Sequence, residues 1–230
     1  MQIRTGAIIF SRFSSRRLPG KALLPLGNTS LLEQVISNAK NLDVDEIIVA
    51  TSNNIDDNKI EDLSSKNGVK CFRGSLENVA ERCAQALQAF GIDYFIRLNG
   101  DSPIIPVLEL NELLKNKSEL IKYDLISNLI ERTFPYGYSI EIVRSKSFLL
   151  NQTNFSELQS EHITSYFYEN ATNFKFRSIT YSGGIENLSK YTLTVDDKAS
   201  YEQMKALFEQ INLKTSNQIE TIISKLKFND

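Results

Sequence analysis

The chain has no tryptophan, one histidine, two cysteines and five prolines in 230 residues. Each scarcity excludes something. Cys71 and Cys83 cannot staple a protein of this size, and neither stands in a Cys-x-x-Cys or Cys/His spacing suited to zinc, so both are expected in the core. No stretch approaches the roughly 18 apolar residues of a membrane span, and Met1 to Ile9 lacks the apolar run of a signal peptide. The cytoplasm is the expected setting. No linker rich in Pro, Gly or Ser, no repeat and no low-complexity tract divides the sequence, so one domain over residues 1–230 is expected. A net charge of -2 argues against general nucleic-acid binding.

What is present is unevenly placed. Between Met1 and Leu32 stand Arg4, Arg12, Arg16, Arg17 and Lys21, without a single Asp or Glu. A small polyanion suits such a segment better than a long one. Residues 6–10 read as a buried strand opening into the loop Ser11 to Lys21, which carries hydroxyls, four cationic side chains and a Pro-Gly turn. Several donors there can converge on one polyphosphate. The loop is not a Walker A motif, because Ser15 stands where that motif needs its first glycine and Ala22 follows Lys21.

Behind the loop, Leu31, Leu32, Val35, Ile36, Ala39 and Leu42 recur at helical spacing, and residues 46–51 return as a strand. The alternation continues with a helix over 55–67, an extended stretch over 69–72, a helix from Leu76 to Phe90 and a strand over 93–98. Such an order implies a mostly parallel, Rossmann-like sheet in a three-layer α/β/α arrangement, with ligands beyond the carboxyl ends of the strands. After about Ser127 the pattern loosens into strands over 138–143 and 174–181 around a helix over 157–170, expected as a smaller sub-structure laid over one side of the sheet. A strand over 191–195, an amphipathic helix from Tyr201 to Ile211 and a terminal helix over 219–226 close the chain.

The loop resembles the signature of the sugar-activating cytidylyltransferases, in which an Arg, a Ser and Arg-Leu-Pro-Gly-Lys follow the first strand; here these are Arg12, Ser15 and the run Arg17 to Lys21. That group includes the CMP-KDO synthetases and, closer to this chain, the spore coat polysaccharide biosynthesis protein F and acylneuraminate cytidylyltransferase group. Further matches are Ala50 to Ser52 with Asp57, Phe72 to Ser75 with Val79 and Arg82, and Arg97 to Pro103. Phe10, Ser11, Ser14, Asn78 and Asn99 depart from its usual residues.

The resemblance implies a nucleotide-diphospho-sugar transferase-like fold, with residues about 1–127 and 191–230 forming the nucleotide-binding sheet and about 128–190 an acceptor and dimerisation region. It implies Arg12, Arg17 and Lys21 on the triphosphate with Ser15, Arg73 and Ser75 near base or ribose, and Asn99 on the nucleotide. Asp101 follows an apolar strand between Gly100 and Pro103, where a carboxylate can face a cleft, and Mg²⁺ usually takes one or two protein carboxylates. An Asx turn is its structural alternative. Asp196 matches the family's Thr-Val-Asp pattern as the second Mg²⁺ ligand, while Asp197 fits the cap of the following helix. Pro135 to Glu141 and Glu161 to Thr164 resemble the family's acceptor patterns, which makes Glu141 and His162 the expected contacts to a sugar.

The expected activity is transfer of a nucleotidyl group from CTP to a 2-keto-3-deoxy sugar acid, giving a CMP-sugar for surface polysaccharide and pyrophosphate, by a homodimer. A phosphorylated or phosphonate acceptor is the alternative within enzymes. A glycosyltransferase or a non-catalytic nucleotide binder is the alternative outside that class, though residues 99–101 lack the Asp-x-Asp of the former.

Overall fold

The structure, a computed structural model, describes residues 3–183, 188–211 and 219–227. Strand β1 (Thr5–Phe10) runs into the basic loop, a 3-10 turn (Lys21–Leu23), the short pair β2 (Pro25–Leu26) and β3 (Thr29–Ser30), and helix α1 (Leu31–Ala39). Then come β4 (Glu46–Ser52), a 3-10 turn (Ile55–Asp57), α2 (Asn58–Lys66), β5 (Lys70–Gly74), α3 (Val79–Phe90) and β6 (Tyr94–Asn99). The remainder holds α4 (Val107–Lys115), α5 (Lys117–Leu120), β7 (Leu125–Ser127), β8 (Glu141–Arg144), α6 (Ser145–Asn151), α7 (Glu157–Glu161), α8 (Ser165–Glu169), β9 (Phe176–Ser178), α9 (Lys198–Gln210) and α10 (Ile219–Lys227).

Local signals explain the helix ends. Ser30 and Glu33 form a reciprocal capping box on α1, and Asn78 caps α3 by accepting from the Glu81 amide at 2.8 Å. Helix α3 stops at Gly91, whose φ of 64° is left-handed.

Among the described residues the main sheet has seven strands in the order β5-β4-β1-β6-β8-β7-β9. All pairings are parallel except those of β8, which runs against both of its neighbours. Side-chain alternation divides the core between two faces. Ala7 and Ile9 of β1 pack with Leu32 and Val35 of α1 and Leu110 of α4, whereas Ile8 packs with Ala80 and Cys83 of α3 and Phe148 of α6. This is the expected α/β/α arrangement, and it brings the carboxyl ends of β1, β4, β5 and β6 to one rim. Cys83 is buried and Cys71 half-buried, and burial pushes both thiols up, that of Cys71 to about 11. Cys83 is a core residue as expected, whereas Cys71 lies at the half-buried margin on β5.

Three expectations need correction. The segment expected to lie over the sheet contributes β8 and β9 to the sheet itself, and its strand over 174–181 pairs only across Phe176–Ser178. The helix over 157–170 is two short ones, because His162 turns out of helical geometry at φ -101°, ψ 71°. Residues 191–195 form no strand: their backbone bonds go to loops, Leu193 N to Tyr136 O at 2.6 Å and Val195 N to Asp101 O at 2.8 Å. The stretch over 138–143 enters the sheet as β8, the one reversed strand among the described residues of a mostly parallel sheet. Among the described residues no helix is long and apolar enough to cross a membrane.

Candidate active site

A cavity of about 530 Å³ opens at the rim. The basic loop forms one wall. Its course is set by Asp57, a buried carboxylate that accepts from the Phe13 amide at 2.7 Å and from the amide and hydroxyl of Ser52, so the loop after β1 is tied to the end of β4. Gly20 then takes a φ of 72°, a region open to glycine, and delivers Lys21 into the cavity. Arg12, Ser15, Arg16 and Arg17 line the same wall.

Asp101 and Asp196 meet across it. The Lys21 ammonium lies 2.6 Å from Asp101 Oδ2, 2.8 Å from the Val195 carbonyl oxygen and 3.7 Å from Asp196 Oδ1, while Arg17 reaches Asp196 Oδ1 at 3.0 Å. Convergence follows from two backbone devices. Gly100 lets the loop after β6 close onto β1, since an added Cβ would stand 2.7 Å from Ser11 Cβ, and the Val195–Asp101 backbone bond brings the second aspartate alongside. Asp197 forms the cap of α9, accepting from the Ser200 amide at 2.9 Å, which leaves Asp196 to the cavity.

The opposite wall carries His162, Glu161, Tyr168, Arg97 and Ser139. His162 is exposed there at the end of α7, and Arg12 bridges to Glu161 at 3.2 Å. Glu141 is fully buried and is not part of the lining. Its Oε2 accepts from Arg97 Nη1 at 2.6 Å and its Oε1 from the Tyr168 hydroxyl at 2.8 Å, and Ser127 shares a 2.7 Å bond with that hydroxyl. Burial alone would push the Arg97 guanidinium down, but Glu141 beside it holds it above its ordinary value. Burial and the same carboxylate push the Tyr168 phenol up. Both side chains therefore face the cavity in fixed protonation states.

A model of the cytidylyltransferase family matches residues 6–222. The chain belongs to that family. Over 96% of its length it is 28% identical to the spore coat polysaccharide biosynthesis protein SpsF of Bacillus subtilis, covering 93% of that protein. A cytidylyltransferase structure from Leptospira borgpetersenii superposes with a TM-score of 0.88 at 31% identity over 99% of this chain and 95% of that one. The 3-deoxy-manno-octulosonate cytidylyltransferase of Coxiella burnetii is 32% identical over 49% of this chain and 45% of its own. A CMP:2-keto-3-deoxy-manno-octonic acid synthetase complexed with CTP shares the fold, at a TM-score of 0.66 and 20% identity, covering 90% of this chain and 99% of that one.

In this cytidylyltransferase the cavity gathers Arg12, Ser15, Arg17, Lys21, Asn99, Asp101, His162 and Asp196. It does not gather Arg73, Ser75 or Glu141. Arg73 sits on the edge strand β5, where its guanidinium donates to the Ser52 and Asn54 carbonyl oxygens at 3.0 and 2.6 Å and to Glu61 at 2.8 Å. Ser75 accepts from the Asn78 amide at 3.0 Å. Arg73 therefore ties β5 to the connection between β4 and α2, and Ser75 holds the turn between β5 and α3. Glu141 acts through Arg97 and Tyr168, two cavity residues to which the sequence reading gave no role. A signal was available: an arginine amid the apolar residues of β6 and a glutamate opening apolar β8 each require a buried partner.

The two aspartates also fit a divalent ion. Among the described residues no group of three or more His, Cys, Asp or Glu could hold a metal, so the protein offers two carboxylates, the complement Mg²⁺ usually takes before phosphate and water oxygens fill its shell. That both carboxylates already reach the single Lys21 ammonium shows that one cation can engage the pair.

Proposed function

We propose that the protein uses CTP and Mg²⁺ to convert a 2-keto-3-deoxy sugar acid into its CMP-sugar, releasing pyrophosphate, for surface polysaccharide synthesis. The observation that carries this reading is the meeting of Asp101 and Asp196 around Lys21, beside a loop of four cations. The names of the SpsF and octulosonate relatives support the acceptor and pathway class.

In the reaction the anomeric hydroxyl oxygen of the acceptor bonds to the α-phosphorus as the bond to the β-phosphate oxygen breaks, and the hydroxyl proton passes to solvent water. Positioning and charge neutralisation dominate such transfers. Lys21, Arg17 and Arg12 turn from their carboxylates to the β- and γ-phosphates and neutralise the departing pyrophosphate. Asp101 and Asp196, relieved of those cations, would hold Mg²⁺, which would supply Lewis acidity at the phosphate oxygens. His162 and Ser139 orient the acceptor from the facing wall. On that wall Arg97 already holds Glu141, and Arg132, over the Tyr136 ring, is the other cation of the lining, a single charge that suits a sugar acid better than a phosphorylated acceptor. The reading includes a cytoplasmic homodimer, to be checked by sedimentation.

Lys21→Ala tests the phosphate wall. It is expected to weaken CTP binding by about 1.5–3 kcal/mol, the worth of one charge-assisted contact, in titration calorimetry with a non-hydrolysable CTP analogue. Unchanged affinity would leave the loop a solvated basic surface.

A further inference from the structure

Arg82 is 2% exposed, yet it lines the cavity. Three other withdrawn cations of the lining hold carboxylates, Arg12 on Glu161, Lys21 on Asp101 and Asp196, and Arg97 on Glu141, while Arg132 lies over the Tyr136 ring. Among the described residues Arg82 has no carboxylate within ion-pair distance. Its Nη1 donates to the Ser75 carbonyl oxygen at 2.5 Å, and its Nε is buried without a partner. Asp57, whose charge favours the guanidinium from a distance, already serves Phe13 and Ser52. Burial pushes the guanidinium down to about 10, and Arg12 adds repulsion.

Leaving a buried cation uncompensated is costly, and the fold takes specific steps to place it. The last residue of β5 is Gly74, where an added Cβ would come 2.9 Å from Arg82 Cγ, so the arginine stem passes only because a side chain is missing there. A group held this way in a cavity wall calls for acceptors from a ligand.

We propose that Arg82 reads the base of the nucleotide, donating to the O2 and N3 acceptors of cytosine. This rests on the cytidylyl reading above and deepens it. Phe10 and Val79 line the cavity with Arg82 and give a planar ring apolar surface, which a triphosphate does not seek. Cations for the triphosphate are supplied by the loop that ends at Lys21. A guanidinium only donates, so it matches the adjacent acceptors at O2 and N3 of cytosine and opposes the N3–H of uracil. With Arg73 committed to the segment after β4 and Ser75 to the turn before α3, Arg82 takes over the base contact expected of them.

Calorimetric titration of the whole protein with CTP, 3-deaza-CTP, UTP and inorganic tripolyphosphate tests this, because 3-deaza-CTP removes the N3 acceptor without touching the protein. CTP is expected to bind about tenfold to a hundredfold more tightly than UTP or 3-deaza-CTP. In Arg82→Met the three nucleotides should converge while tripolyphosphate binds as before, which a merely structural role would not produce. Equal binding of CTP and 3-deaza-CTP by the parent protein overturns the role of Arg82 and leaves the cytidylyl reading standing. No preference for CTP over other triphosphates overturns both. Parallel loss of CTP and tripolyphosphate in the variant moves Arg82 to the phosphates and also overturns the proposal.

Discussion

Asp101→Asn and Asp196→Asn are each expected to fold normally and to lose turnover on the order of 100- to 1,000-fold, the usual cost of removing one preorganised electrostatic group from a reacting centre. Asparagine keeps the size and the turn-forming oxygen of aspartate. The stability cost should be small, because the Arg17–Asp196 pair has a 65% exposed arginine and Lys21 keeps the Val195 carbonyl oxygen. Loss of one negative charge from the metal shell should instead appear as a raised Mg²⁺ requirement, partly restored by excess Mg²⁺ or Mn²⁺. The double variant should lose far less than the product of the single losses, since both carboxylates hold one ion. Turnover against metal concentration, with melts of all three variants, is the measurement. Near-normal turnover in either folded single variant would remove that aspartate from the mechanism.

Glu141→Ala is expected to act on stability first, by about 3–5 kcal/mol, because it strands the Arg97 guanidinium and the Tyr168 hydroxyl against a buried void. Arg97 keeps some contact with the cavity at 16% side-chain exposure, which places the loss toward the lower end. Glu141→Ala combined with Arg97→Met should recover part of it, since the double variant no longer buries an unpaired charge. Urea denaturation of the single and double variants reads this directly. A loss below about 1 kcal/mol would show that the pair is dispensable to the fold. Acceptor binding should fall with either variant while CTP affinity holds, because the network reaches the cavity through Arg97 and Tyr168.

These two predictions differ in how far the sequence foretold them. Asp101 and Asp196 were legible because the rim of a parallel sheet gathers the loops that follow its strands, and Asp101 lies directly after β6. The route of Asp196 was not, since its segment reaches the rim through bonds to Asp101 and Tyr136 rather than as a sheet strand. Glu141 was expected to face the acceptor, and its burial was not legible. Its role depends on Arg97, 44 residues earlier on the neighbouring strand, a pairing that requires knowing that β8 lies against β6. An apolar alternation has the same period in either direction, so the reversal of β8 left no local mark. The break at His162 was hidden for a similar reason: helical spacing continues across it, and only the exit of the backbone after Glu161 turns the histidine into the cavity wall. Arg73 lies outside the cavity because a basic residue near a nucleotide loop can be held by carbonyl and carboxylate groups of the scaffold.

The most direct measurement is pyrophosphate release, with Mg²⁺ and with chelator, for each of the four ribonucleoside triphosphates against a panel of keto-deoxy sugar acids and sugar phosphates. The account predicts release that requires CTP, a sugar acid and the metal together, with formation of the corresponding CMP-sugar. No release with CTP under any acceptor, or equal release with all four nucleotides, would contradict it.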